Sequence, residues 1–460
     1  MKLKYLLSWY FFLLALASTI ATGCKKQDEF LEAKPSASLA VPSSLADLQS
    51  LLQYESLFNS NDPALGQIAS DDGYASTSVW NSLTTLERNG YIWAKQVYDA
   101  GADVPDWTSP YRQVYYANTV LDALPVISYN NAQQSLYNQI KGTALFYRSI
   151  AFYNLLQNFT VPYQATSAGT DPGIPLRLTS DLNKQSIRSS QQQCYAQIIG
   201  DLKAALPLLP VTPSYKTEPS LPAVNGLLAR LYLVMGDYDA ALAASNACLL
   251  QYATLVDYNT LKPAARTIST TYLAEDIFHS RMVGYAINAP NSKAITDSIL
   301  YRSYGTNDLR KTVFFVLTSG LPYFRGTYDF KRYLYSGIAT DEIYLIRAEC
   351  YARAGRVAEA MKDLNTLLVT RWKTGTFVPF STSSAEDALG QILKERRKEL
   401  LFRGLRWTDL RRLNLDPRFA VTLARNVSGQ IYSLPPEDPR YAWPIPDDEI
   451  QASGIPQNPR

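Results

Sequence analysis

Histidine, cysteine and paired carboxylates carry most acid–base, nucleophilic and metal chemistry in proteins, and this chain is sparing with the first two. Its 460 residues include one histidine, His279, and four cysteines, Cys24, Cys194, Cys248 and Cys350. One histidine excludes His-rich metal sites and two-histidine motifs such as HExxH. A Ser-His-Asp triad would have to use His279 itself, and the surrounding EDIFHSR has no nucleophile elbow. His279 therefore reads as an ordinary packed or surface residue. No CxxC pair exists, so zinc is not indicated. Cys194, Cys248 and Cys350 lie far apart in helical-looking segments and read as small buried apolar side chains. Carboxylate-only chemistry of the kind that cleaves glycosidic bonds stays open, but among 41 acidic residues no pair stands out. No cofactor and no metal site is expected.

Cys24 differs from the others in what precedes it. Lys2 and Lys4 form a basic start, residues 5–23 carry no charge, and Ala21, Thr22 and Gly23 follow the apolar centre YLLSWYFFLLALA. This is the layout of a signal peptide. Its strongly apolar core is about a dozen residues, short of the roughly 20 needed to span a bilayer. Gly23-Cys24 resembles the lipobox of bacterial lipoproteins, in which the thiol is acylated and the cysteine becomes the new N-terminus; Ala21 stands where that pattern usually has Leu. Each buried CH₂ of an acyl chain contributes about 0.8 kcal/mol, so several chains on one residue anchor a protein stably. The expectation is a signal peptide over 1–23, a lipidated tether over 24–40 and lipid attachment at Cys24. The following KKQDEF resembles an acidic export tag that sends lipoproteins to the outer face of the outer membrane.

The elements that would position any site are mostly helices. Hydrophobic residues make up 47% of the chain, enough for a substantial core. The net charge of +3 gives no electrostatic case for nucleic acid. LLARLYLVMGDYDAALAASNACLL (227–250) and YLIRAECYARAGRVAEAMKDLNTLL (344–368) align on Gly236 with Gly355, Ala229 with Ala348, Tyr232 with Tyr351 and Ala241 with Ala360. That is tetratricopeptide-like grammar: small residues let two helices approach, an aromatic fills the gap between pairs, and glycine ends the first helix at positive φ. Helices are also expected over 110–127, 140–159 and 194–210, with Tyr147, Tyr153, Tyr232 and Tyr351 in the core. Residues 60–110 and 251–335 are rich in Gly, Pro, Asn, Thr, Tyr and Trp and read as loops with occasional short strands.

Near the end, ILKERRKELLFRGLRWTDLRRL (392–413) reads as a structural helix with ion pairs. Ile392, Leu393, Leu400 and Leu401 would share a face, with Glu399 pairing to Arg403 and Arg406 to Asp409. The chain closes on the proline-punctuated YAWPIPDDEIQASGIPQNPR, which must lie over a surface. Together, ERRKELLFRGLRWTDLRRL, WPIPDDEI…PQNP, NDLR (307–310), IRAECYARAG (346–355) and DEFLEAKPSAS resemble the motifs of the SusD/RagB family of outer-membrane lipoproteins, in order and over nearly the whole length. Arg403 stands where that family more often has an acid. The resemblance implies a mainly α, SusD-like fold: tetratricopeptide-like helix pairs as scaffold, with long loop-rich insertions and a few short strands. It places an N-terminal region at 41–250 and a C-terminal region with the last repeat at 251–460.

The resemblance also implies a role without catalysis. Such proteins sit over a SusC-like TonB-dependent barrel as a lid and capture an oligosaccharide, sometimes a peptide, for import. A sugar presents apolar C–H faces and hydroxyls, so aromatic platforms with a few polar groups suit it, and this chain has 32 Tyr and 7 Trp. The candidate ligand-binding residues are loop-side aromatics with polar neighbours: Tyr74 beside Asp71 and Asp72, Trp80 beside Asn81, Trp93, Trp107, and Tyr323 with Arg325. Two other readings compete with it, a carboxylate-based glycoside hydrolase and a helical scaffold without a small ligand.

Overall fold

Helix pairs form where the glycine and small-residue pattern places them. The computed structural model describes residues 42–262, 272–290, 293–326, 328 and 333–460, and the chain divides into residues 1–44 and residues 45–460. Every element named below belongs to the second unit; Cys24, the signal segment and the tether lie outside the described residues. Ten helices of eight or more residues are described there: α1 (Leu45–Leu52), α2 (Pro105–Ala123), α3 (Gln134–Phe159), α4 (Gln191–Ala205), α5 (Leu221–Met235), α6 (Tyr238–Gln251), α7 (Thr340–Arg353), α8 (Val357–Leu368), α9 (Ala385–Glu399) and α10 (Arg406–Leu413). Helix α3 packs between α2 and α4, α6 between α5 and α7, and α7 also against α8 and α9.

The two aligned repeats are α5–α6 and α7–α8. The Ser220 hydroxyl caps α5 by accepting the Ala223 N–H, and Gly236 ends it at φ 74°. Gly355 takes φ 73° at the corresponding turn after α7. Ala229, Ala241, Ala348 and Ala360 are fully buried, while Tyr232 and Tyr351 are partly buried against the core. Helix α3 is enclosed on nearly all sides from Ala144 onward, so its apolar residues form no stripe. At its end the Arg411 guanidinium donates to the carbonyls of Gln157 and Thr160. A cation there suits the unsatisfied carbonyls of a helix C-terminus. Burial, with no carboxylate partner to offset it, pulls the Arg411 pKa down to about 10.

One core cluster runs from Leu45 to Ile455 and includes residues of both the 41–250 and the 251–460 regions. The closing segment is fastened to it. Trp443 is buried and stacks on Trp407 at 5.7 Å. Gln457 and Ile445 exchange two hydrogen bonds of 2.7 Å, and the Asn458 amide donates to Trp443 O and Phe159 O. The PIP and QNP stretches are thus two halves of one clasp.

Two expectations need correction. Residues 60–110 are more helical than their composition suggests, with short helices at Leu65–Ala69, Thr77–Asn81 and Thr85–Tyr91 before α2 begins. The 392–413 segment is two helices rather than one: α9 stops at Glu399, and Phe402 (φ 56°) and Gly404 (φ 72°) turn the chain into α10. Leu400 still packs in one cluster with Ile392 and Leu393, whereas Leu401 packs into a different one. The ion pairs change with the geometry. Glu399 pairs with Arg310 and Arg371, Arg403 with Asp341, Arg406 with Asp71, and Asp409 with Arg396 and Arg412.

Apart from the half-buried Arg406–Asp71 pair, these pairs are buried, and they interlock. Arg310, fully enclosed, reaches Asp308, Glu395 and Glu399 within 2.9 Å, and Arg371 bridges Glu399 to Glu275. NDLR and ERRKEL are therefore two sides of one ion cluster. Buried ions need such pairing, because each unpaired one costs several kcal/mol, about 3–5 when a partner is removed.

Candidate functional site

Four short strands bring distant candidates together. Gly73–Tyr74, Ile295–Thr296, Leu321–Phe324 and Phe315–Thr318 form one antiparallel sheet in that order. The last two are a hairpin closed by Ser319 and Gly320, both at positive φ (52° and 79°), as a two-residue turn matched to strand twist requires. Tyr74 pairs with Ile295, Ile295 with Tyr323, and Tyr323 with Val316. Residues paired across strands point to the same face, so these four make one row. With strands about 4.8 Å apart, Tyr74 and Tyr323 stand roughly 10 Å from each other on it. The opposite face carries Phe315 and Phe324 into a buried cluster, whereas Tyr74 (36% exposed) and Val316 (38%) remain open and Tyr323 is half-buried.

The flank of this row is also defined. Ser76 caps the Thr77–Asn81 helix through the Val79 N–H. Within that helix Trp80 is half-buried, its indole N–H donating to Arg88 O at 3.2 Å, and Asn81 is exposed. Lys293 Nζ donates to Ser82 Oγ at 3.0 Å, which ties the end of the helix to the strand beginning at Ile295. Tyr74, Trp80 and Asn81 thus share one local segment, and the sheet joins Tyr323 to it. Arg325 sits just past the edge of the hairpin, its backbone N–H bonded to Phe314 O, and partial burial lowers its pKa.

Trp93 and Trp107 do not join this group. Trp93 is 1% exposed and its indole donates to Ala69 O at 3.1 Å; Trp107 is 3% exposed, packed on Tyr111 and Phe159. Both rings are struts of the interior. Sequence reasoning missed Ile295, Val316 and Lys293; the alternating FVLT and LPYF around Ser-Gly was the available signal.

Beneath the row lies an electrostatic support. Asp71 pairs with Arg406 at 2.6 Å and Arg397 at 3.0 Å, and these cations outweigh its burial and hold its carboxyl below the usual range. Asp72 is buried; its Oδ2 accepts from Gln67 Nε2 and from the N–H of Phe402, whose ring stacks on Phe324 at 4.8 Å. Burial and the adjacent Asp71 charge raise the Asp72 pKa to about 6. His279 is buried against Asp276 at 2.6 Å and between the rings of Tyr272 and Tyr335. Cys194, Cys248 and Cys350 are free thiols and buried. Among the described residues no group of His, Cys, Asp and Glu is arranged to hold a metal ion, and no helix is long and apolar enough to cross a membrane.

The candidate site is therefore a row of two phenol rings, with Tyr74 and Val316 exposed, Tyr323 half-buried and Ile295 buried between the rings, and with Asn81, Ser82 and Lys293 in the adjoining segments. Such a face holds ring-shaped ligands by contact and orients them by hydrogen bonds. Residues 29–233 match a family model described as starch-binding, associating with the outer membrane, and residues 340–460 match the model of the SusD family. The chain belongs to the SusD/RagB family. A SusD-like protein P2 of Formosa agariphila is 24% identical over 377 residues, covering 67% of this chain and 71% of its own. A SusD superfamily structure from Bacteroides thetaiotaomicron superposes with a TM-score of 0.74 at 23% identity, covering 91% of this chain and 100% of that one. A laminarin-binding SusD-like protein does so with a TM-score of 0.62 at 17% identity, covering 90% and 98%. The SusD-like fold is thus shared over nearly the whole chain, and the ion cluster and clasp are what the SusD/RagB motifs build here.

Proposed function

We propose that this SusD/RagB protein is a cell-surface lipoprotein that captures oligosaccharides on the Tyr74–Tyr323 face and delivers them, uncleaved, to a SusC-like TonB-dependent transporter in the outer membrane. The observation that carries this reading is the convergence of Tyr74 and Tyr323, nearly 250 residues apart, on one row of a sheet where Tyr74 and Val316 stay exposed. The starch-binding description of the family model and the laminarin-binding neighbour support a glycan over a peptide. The lipid anchor is Cys24, as the Gly23-Cys24 pattern indicates. The test is a titration of the chain with laminarihexaose and maltohexaose alongside short peptides, with product analysis of each mixture. Binding of intact glycan supports the reading; shortened products favour the hydrolase, and peptide-only binding reassigns the cargo. A Cys24→Ala variant should leave the membrane fraction, and detergent extraction of the wild type should recover a large barrel protein with it.

A further inference from the structure

A small cleft between residues 283–289 and 333–334 shares no lining residue with the tyrosine row and encloses about 130 Å³. Its walls are rigidly placed. The Tyr285 hydroxyl donates to Asp106 Oδ2 at 2.5 Å, while Asp106 Oδ1 accepts the N–H groups of Ala64 and Leu65. Two residues on, the Ile287 N–H donates to Glu87 Oε1 at 3.0 Å, anchoring the loop to the Thr85–Tyr91 helix. On the other wall Tyr333 leans against Gly284: a Cβ at that glycine would lie 2.3 Å from Tyr333 Cε1, so no side chain fits there while the ring holds its position. Tyr333 keeps 41% of its surface open.

Asn288 supplies the decisive feature. It is 7% exposed and lines the cleft, yet its Nδ2 has no hydrogen-bond partner. Buried polar groups are almost always paired, and leaving an amide unpaired is costly. An apolar ligand would leave that cost in place. The described lining residues carry no charge to favour a metal ion or an anion. A neutral ring bearing hydroxyls satisfies both walls at once: its C–H face rests on Tyr333 and a ring or hydroxyl oxygen accepts from Asn288. The volume suits one ring, not a chain.

We infer that this cleft is a subsite for a single neutral sugar unit, read by Asn288 and stacked by Tyr333. Its natural occupant rests on the glycan-binding reading above, but the cleft is testable without it. The probes are the methyl glycosides of glucose, galactose, mannose and xylose, followed by saturation-transfer NMR on the full chain. At least one glycoside receives saturation from the protein. Tyr333→Ala weakens that glycoside about tenfold and Asn288→Leu about fivefold. Gly284→Ala, which displaces the Tyr333 ring without removing a ligand contact, also weakens it. Circular dichroism checks that each variant is folded. The inference is overturned if no glycoside receives saturation, or if the affinity for that glycoside is unchanged in folded Tyr333→Ala and Asn288→Leu. Glycosides that fail while hexasaccharides titrate onto the tyrosine row reject the cleft and spare the row; the converse rejects the row alone.

Discussion

Replacing Asp72 by Asn should stabilise the protein near neutral pH and do progressively less as the pH falls. The carboxyl is buried under the tyrosine row, with its Oδ1 unpartnered and its Oδ2 accepting from Gln67 and Phe402. Arg397 and Arg406 favour its charge, but burial and Asp71 oppose it more strongly and raise its pKa from 3.8 to about 6. An unfolded Asp72 ionises near 3.8, so between that pH and 6 the folded state holds the extra proton. Stability from this residue is therefore present at low pH, falls as the pH rises through the window, and is lost above it. A shift of this size corresponds to about 3 kcal/mol in full, of which about 1 kcal/mol falls between pH 5 and pH 7. Burial also raises the pKa of Glu275, so the wild-type slope alone contains more than Asp72. The comparison of wild type with Asp72→Asn isolates it, because Asn keeps an acceptor for Gln67 and Phe402. Urea unfolding at pH 5, 6, 7 and 8 gives the difference. The variant should gain about 1 kcal/mol on the wild type between pH 5 and pH 7. A flat difference, or one that grows toward acid, would refute the placement of Asp72 as a strained buried acid.

Two further substitutions probe the scaffold. Arg310→Met leaves Asp308, Glu395 and Glu399 enclosed without their shared cation; a loss of about 3–5 kcal/mol is expected in urea unfolding, and a loss below 1 kcal/mol would show that the cluster is dispensable. Gly236→Ala meets no atom within 4 Å and is strained only by its φ of 74°. It should cost about 1 kcal/mol, seen as a lowered Tm, with ligand binding unchanged.

The scaffold was readable because its signals are local. Gly236 and Gly355 ended helices where the aligned repeats required, and the buried alanines followed at helical spacing. The ion partners were not readable. Glu399 could meet Arg403 only on a continuous helix, and the left-handed Phe402 breaks it, sending Glu399 to Arg310, 89 residues away. Charge patterns name which residues want partners but not which distant ones they meet. The same gap explains the tryptophans. Polar neighbours suggested an open loop around Trp93, but that loop folds back and buries the ring under Ala69 and Arg425. Half of the sheet beneath the candidate face consists of two-residue strands, too short for alternation to show in sequence. Tyr74 and Tyr323 could be nominated one by one; only the strand register puts them in one row.

The central claim is that this row holds a glycan. Isothermal titration of the wild type, Tyr74→Ala and Tyr323→Ala against laminarihexaose and maltohexaose tests it most directly. At least one hexasaccharide should bind the wild type, and each substitution should weaken it by about tenfold, equal to ~1.4 kcal/mol, without lowering Tm. Hexasaccharide binding that is unchanged in both folded variants would contradict the account and move the site elsewhere on the molecule.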